Sequence, residues 1–191
     1  YSKGNKKSIN KDYIKIISVG RSHWIKGYTY ALDAMLNLKN EGINFHYSIV
    51  SNGEDLENIN YQINDLGLKK YVTFINGLVH EEVINIVAKS DIFFLSSIEE
   101  GISNAVLEAM ALGTPVISTD CAGMKEVIED NINGFLISAY NPNEIVKKVI
   151  KIIDLGCNIN QVIESARHTI KEWHTLELQT INMIKLYKKY I

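Results

Sequence analysis

Ile92-Phe93-Phe94-Leu95 runs through Ser96-Ser97-Ile98-Glu99-Glu100-Gly101-Ile102-Ser103 into Asn104-Ala105-Val106-Leu107-Glu108-Ala109-Met110-Ala111-Leu112-Gly113-Thr114-Pro115-Val116-Ile117-Ser118-Thr119. The first four residues have the length and residue types of a buried strand. In the polar turn that follows, Gly101 supplies backbone freedom just ahead of a helical pattern. Val106, Ala109, Met110 and Gly113 recur at helical spacing, and Ser103 or Asn104 is placed to cap the first turn with a side-chain oxygen. Gly113 is expected at the C′ position, with Pro115 preventing continuation. Val116-Ile117-Ser118 reads as the next buried strand. The stretch is a strand, a glycine turn, a helix and a strand.

That arrangement makes an anion site. The first-turn N–H groups of a helix point outward unpaired, and the dipole favours negative charge there. Two carboxylates flank the site. Glu100 precedes the helix, and Glu108 follows Asn104 by one turn on the same face, roughly 6 Å further along the axis. Carboxylates accept hydrogen bonds from hydroxyls and repel phosphate, so they suit sugar rather than the anion. The plainer alternative, a loop glutamate and a helix glutamate in solvent, stays open on spacing alone.

Working outward, strand and helix patterns alternate along the chain. Tyr13 to Val19 reads as the first strand and Gly20 to Gly27 as a loop. A helix is expected from about Tyr28 to Asn40, with Ala31, Ala34, Met35 and Leu38 on its buried face. Phe45 to Val50 is a strand, Asn52-Gly53 a turn, Leu56 to Leu66 a helix, Val72 to Ile75 a strand, and Glu81 to Ala88 a short helix. After the opening stretch, Gly134 to Ile137 is the last strand, and Asn143 to Leu155, Asn160 to Ile170 and Thr175 to Lys189 are helical. The strands are apolar runs, which predicts a Rossmann-like open parallel sheet with helices on both faces. Residues 1–12 read as a linker or frayed terminus, 13–173 as the folded domain, and 174–191 as a separate terminal helix.

An open parallel sheet binds its ligand at the carboxyl ends of its strands. Those ends carry Gly20-Arg21, Asn52-Gly53, Asn76-Gly77, Ser96-Ser97 and Ser118-Thr119. There is no G-x-G-x-x-G and no G-x-x-x-x-G-K-[ST], so a dinucleotide fingerprint and a P-loop are both absent. Arg21 and Lys26 bracket the loop after the first strand. An arginine offers planar bidentate donors to phosphate oxygens and a lysine a mobile point charge.

Composition narrows the class. A chain of 191 residues, 46% hydrophobic and 22% charged, fits one globular domain with a substantial core. A net charge of −2 gives no nucleic-acid surface. Cys121 and Cys157 lie far apart with no CxxC, which points to a reducing compartment and against zinc. His80-Glu81-Glu82 lacks the second histidine of a metalloprotease helix. No apolar run approaches membrane-spanning length and no secretory signal is visible, so the cytoplasm is the expected location. Lys147, Lys148 and Lys151, with Lys185, Lys188 and Lys189, form basic helical faces. These are ordinarily solvated, with a weak attraction to anionic headgroups (about 1 kcal/mol each) as a membrane-associated alternative. His23 and Trp24 are read as loop residues, and Trp173 as a packing anchor.

Glu100-Gly101, Leu107-Glu108-Ala109-Met110-Ala111 and Gly113-Thr114-Pro115-Val116 closely resemble the E-x7-E segment of the group 1 (GT4-like) family of retaining nucleotide-sugar glycosyltransferases. Gly20-Arg21 and Lys26-Gly27 resemble the family's G-R-x(4)-K-G element. Ser51-Asn52-Gly53 is similar to its glycine turn, and Val72 to Val79 to the strand and loop whose backbone meets the nucleobase. Ala122-Gly123-Met124-Lys125-Glu126-Val127 resembles the segment after the fifth strand, with Ala122 in place of a glycine and Lys125 in place of a proline. The resemblance runs from about Ile14 to Tyr187.

It implies one half of a GT-B fold that binds a UDP-, GDP- or ADP-sugar without a metal or other cofactor; no Asp-x-Asp occurs. Arg21 and Lys26 would hold the diphosphate, Glu100 the donor sugar and Glu108 the ribose. Gly20, Gly53, Val79, Gly101, Ile102, Ser103, Asn104 and Ala105 would complete the binding set. The acceptor, a saccharide or a lipid-linked glycan, belongs to an N-terminal half expected to be missing here, toward which the last helix would cross. A non-catalytic donor-binding subunit and a nucleotide-sugar epimerase are the competing readings.

Overall fold

A computed structural model of the chain describes residues 9, 12–52 and 56–189. The strands are β1 (Ile14–Val19), β2 (Phe45–Val50), β3 (Val72–Ile75), β4 (Ile92–Leu95), β5 (Val116–Thr119) and β6 (Phe135–Ile137). The helices are α1 (Tyr28–Asn40), α2 (Leu56–Asp65), α3 (His80–Lys89), α4 (Asn104–Leu112), α5 (Pro142–Leu155), α6 (Ile159–Trp173) and α7 (Leu176–Tyr187). All the pairings are parallel, and the order across the sheet is β3-β2-β1-β4-β5-β6. The order reverses between β1 and β4, and the crevice at the carboxyl ends of these two strands is where such a sheet binds its ligand.

Strand side chains alternate between two faces, and both are covered. Ile16, Tyr47, Ile49, Phe94 and Phe135 pack with Leu32, Met35 and Leu38 of α1 and with Val149 and Ile152 of α5. Ile17, Phe93, Leu95 and Val116 pack on the other side with Val106 and Met110 of α4 and with Met124. Burial on both faces is why the strands read as unbroken apolar runs.

Gly113 closes α4 at φ +80°, and the Arg167 guanidinium occupies the space a Cβ would need. That guanidinium donates to the Leu112 carbonyl at 3.0 Å, satisfying an orphan acceptor at the negative end of the helix.

Several expectations change. Ile9, inside the stretch read as a linker, is buried in the core on the α1 side. Trp173 is not a packing anchor, since it is 73% exposed at the end of α6. Lys148 is not a solvated surface lysine: its ammonium bonds both carboxylate oxygens of Asp130, at 2.7 and 2.8 Å. The helical pattern from Asn160 to Ile170 extends a turn further, to Trp173. Among the described residues no helix is long and apolar enough to cross a membrane.

Candidate functional site

Two loops meet over the β1/β4 crevice, Gly20–Gly27 after β1 and Ser96–Ser103 after β4. The backbone stitches them together. The Ile98 N–H donates to the Ile25 carbonyl at 2.7 Å, and the Ser96 hydroxyl donates to the Lys26 carbonyl at 2.7 Å. A Cβ on Gly27 would lie 2.1 Å from the Ser96 carbonyl oxygen, and the residue sits at φ +63°. Only glycine allows both the conformation and the close approach.

Within this frame Lys26 and Glu100 form an ion pair, each side chain 20% exposed. The Ser97 hydroxyl donates to the same Glu100 oxygen at 3.2 Å, and the Gly123 N–H donates to the Glu100 carbonyl at 3.3 Å. The two groups expected to face different parts of one ligand therefore face each other. They are 74 residues apart in sequence, and both loops must fold before they meet. Arg21 is exposed and lines a cleft of about 270 Å³ with Gly20, Ser51, Asn52, Gly77 and Leu78.

The tip of α4 completes the crevice. Ser103 is the N-cap with extended backbone, but its side chain makes no capping bond, and Asn104 is already the first helical residue. The capping hydrogen bond expected of one of these two is not formed. The ladder begins where Val106 and Leu107 donate to the Ser103 carbonyl, so the N–H groups of Asn104 and Ala105 lie ahead of it. Gly101 and Ile102 lead into the helix, both exposed. A Cβ on Gly123 would lie 2.9 Å from the Gly101 carbonyl carbon, so the loops after β4 and β5 touch backbone to backbone.

Glu108 lies further along α4, where His80 at the start of α3 approaches it, Nε2 to Oε1 3.7 Å. Val79 is exposed and precedes α3, but its N–H donates to the Glu82 carboxylate at 3.0 Å and its carbonyl accepts from Val83. Both backbone groups of Val79 are thus engaged locally. Gly53 lies outside the described residues.

Tyr28, a residue not expected at the site, ties its loop, and three more residues belong to the segment after β5. Tyr28 donates its hydroxyl to the Gly20 carbonyl at 3.1 Å, and burial pushes that hydroxyl well above the ordinary phenol range. Cys121 is buried beside Thr119, and burial raises its thiol, which keeps it unreactive. Lys125 pairs with Asp120 at 2.8 Å. Ala122 takes φ +39°, the left-handed region that favours glycine, so a strained alanine stands where the family pattern has glycine. Among the described residues no group of three or more His, Cys, Asp or Glu could hold a metal ion.

Residues 2–169 match the family model described as glycosyl transferases group 1. The chain belongs to this family. One relative, the amylovoran biosynthesis glycosyltransferase AmsK of Erwinia amylovora, is 29% identical over 164 residues, covering 83% of this chain and 40% of AmsK. The chain spans less than half the length of the first curated relatives it matches, 40%, 46% and 45%. Anabaena Alr3699/HepE in complex with UDP superposes at a TM-score of 0.82 with 18% identity, over 93% of this chain and 49% of that one. The C-terminal domain of the group 1 protein LpcC from Francisella tularensis matches at 0.71 with 23% identity, over 90% of both chains. The Rossmann-like sheet is the one found in GT-B glycosyltransferases.

Proposed function

We propose that this chain is the donor-binding half of a retaining glycosyltransferase that takes a sugar from a nucleoside diphosphate and passes it to a saccharide or lipid-linked acceptor. The observation that carries the reading is the meeting of Lys26 and Glu100 over the β1/β4 crevice, on the loop that leads to the α4 tip, with Arg21 lining the adjoining cleft at the ends of β1, β2 and β3. The UDP complex of HepE, a protein of the same fold, supports it.

The chemistry follows from the charges. As the glycosidic bond lengthens, negative charge grows on the leaving diphosphate. Arg21, Lys26 and the N–H groups of Asn104 and Ala105 are the donors placed to stabilise it. Glu100 accepts from donor-sugar hydroxyls, and Glu108 from the ribose. With no ligand bound, Lys26 and Glu100 neutralise each other, so donor binding exchanges this pair: the ammonium turns to phosphate and the carboxylate to hydroxyls. This reaction uses no metal or other cofactor.

Transfer also needs an acceptor held against the anomeric carbon, and the described residues form one Rossmann-like unit and a terminal helix. Helix α7 has no buried residue and exposes Leu176, Ile181, Met183, Ile184 and Leu186. This apolar set is the surface that packs against the acceptor half. Without that half the proximity contribution, several kcal/mol of the barrier, is lost.

The test is a panel of UDP-, GDP- and ADP-sugars offered to the purified chain, followed by acceptor assays with and without an N-terminal half. The expected result is donor binding, at most slow hydrolysis, and transfer only when the halves are combined. Robust transfer by the 191 residues alone would overturn it.

A further inference from the structure

A buried hydroxyl outside the set that would touch the donor lies at the root of the cationic loop. Tyr28 is 5% exposed and is the first residue of α1, directly after the left-handed Gly27. Its hydroxyl donates to the Gly20 carbonyl at 3.1 Å, and the Ser51 side chain lies beside it. Gly20 and Ser51 both line the cleft beside Arg21. A Cβ on Gly20 would lie 3.3 Å from the Tyr28 hydroxyl and 3.5 Å from the Lys26 stem, so Gly20 is held between the two. Burial, the largest influence on this phenol, keeps its proton in place at neutral pH, so the group acts as a donor.

We infer that Tyr28 is a positioning residue: its hydroxyl closes the Gly20–Gly27 loop on itself and sets the separation of Arg21 and Lys26 so that both cations can meet one diphosphate. This rests on the donor-binding role proposed for the loop. Arg21 is bonded directly to Gly20, and Lys26 lies two residues before Tyr28, so the Tyr28–Gly20 bond fixes the loop at both ends. Separate ties hold the two ends: Ser96 and Ile98 bond its Lys26 side, and the Gly20 and Ser22 N–H groups donate to the Val50 and Asn52 carbonyls at 3.1 and 2.8 Å on its Arg21 side. The Tyr28–Gly20 bond joins those ends directly, so without the hydroxyl each keeps its own anchor and their spacing loosens.

A general structural role would weaken all ligands together or none. A role in spacing the cations weakens only ligands that need both, because a buried hydrogen bond commonly decides about a factor of ten.

The experiment is Tyr28→Phe in the 191-residue chain, whose sheet is covered on both faces and whose counterpart from LpcC is known as a separate domain. The probes are UDP and GDP by calorimetry and the matching nucleosides by saturation-transfer NMR. The expected outcome is a roughly tenfold weaker diphosphate with the nucleoside unchanged. In a Lys26→Ala background the same change should add little, since the two act on one unit. Equal diphosphate affinity, equal loss of both ligand types, or full additivity would overturn the inference. If Tyr28→Phe does not fold, Ser51→Ala, which removes the polar group beside the Tyr28 hydroxyl and lets it shift from Gly20, should give a smaller loss confined to the diphosphate, and no loss would overturn it. A wild-type chain that binds neither diphosphate would instead refute the donor-binding role itself.

Discussion

The β1/β4 crevice and helix α7 treat their side chains in opposite ways. At the crevice a lysine and a glutamate, residue types that favour water, are four-fifths buried, paired with each other and held by the Ser96 and Ser97 hydroxyls. In α7, leucines and isoleucines that favour a core stand in solvent: Leu176 is 81% exposed and Ile184 49%. Burying charge is costly unless the charges are paired, and exposing a contiguous apolar row calls for a partner. On the function proposed above, the crevice is a site for a small ligand built within this chain, and the helix is the surface for the acceptor half.

The largest effect that would break this contrast is at the cations. In the complete enzyme Arg21→Ala and Lys26→Ala should each lower turnover by roughly 10²–10³, the common result of removing one such electrostatic group. Steady-state kinetics with the donor varied checks this. Turnover unchanged in both variants would reduce the crevice to a structural ion pair.

Next come the two glutamates. Glu108→Gln should weaken nucleotide and nucleotide-sugar by a similar factor, about fivefold to tenfold, because its proposed target is the ribose. Glu100→Gln should weaken only ligands that carry the sugar, and freeing Lys26 from its partner should leave bare diphosphate binding intact or tighter. Parallel titrations with the diphosphate and its sugar separate the two. Equal effects on both ligands would mean the roles are misassigned.

A smaller effect is expected from the other side of the comparison. Ile181→Asp with Ile184→Asp should leave the stability of this chain within about 0.5 kcal/mol and its donor affinity unchanged, as for substitutions that touch no core. The same pair should reduce transfer when the acceptor half is present. Thermal melting and reconstituted assays test this, and a large loss of melting temperature would show that α7 packs on this domain.

The smallest effect concerns pH and belongs to neither region. Burial lowers the pKa of His46 on β2 below its ordinary 6.5. Below that pH the unfolded chain takes up the proton more readily than the folded one, so stability falls as the solution is acidified through this range. His46→Gln should flatten the slope of denaturation midpoint against pH between about 7 and 5. An unchanged slope would exclude His46 as the source.

Legibility in the sequence followed the range of the interaction. The unit from Ile92 to Thr119 was readable because strand, turn, helix and stop are written in consecutive residues. Parallel topology followed from apolar runs at Phe45–Val50 and Ile92–Leu95, and Gly113 from its place before Pro115. The pairing of Lys26 with Glu100 was not readable, because it depends on two loops crossing at the point where strand order reverses. Tyr28 looked like an ordinary helix residue, since its partner Gly20 accepts through a carbonyl that every residue has. Trp173 looked like core because its size suggests burial, while its position at the end of α6 leaves it uncovered. Lys148 looked solvated because the carboxylate that meets it, Asp130, comes from a turn 18 residues earlier.

The most direct test is a calorimetric titration of the chain with UDP, GDP and ADP at low salt, repeated on Lys26→Ala. One diphosphate should bind the wild-type chain, and the variant should bind it at least about tenfold more weakly while keeping its melting temperature within a few degrees. Failure of all three to bind, or equal affinity in chain and variant, would contradict a donor site at the β1/β4 crevice.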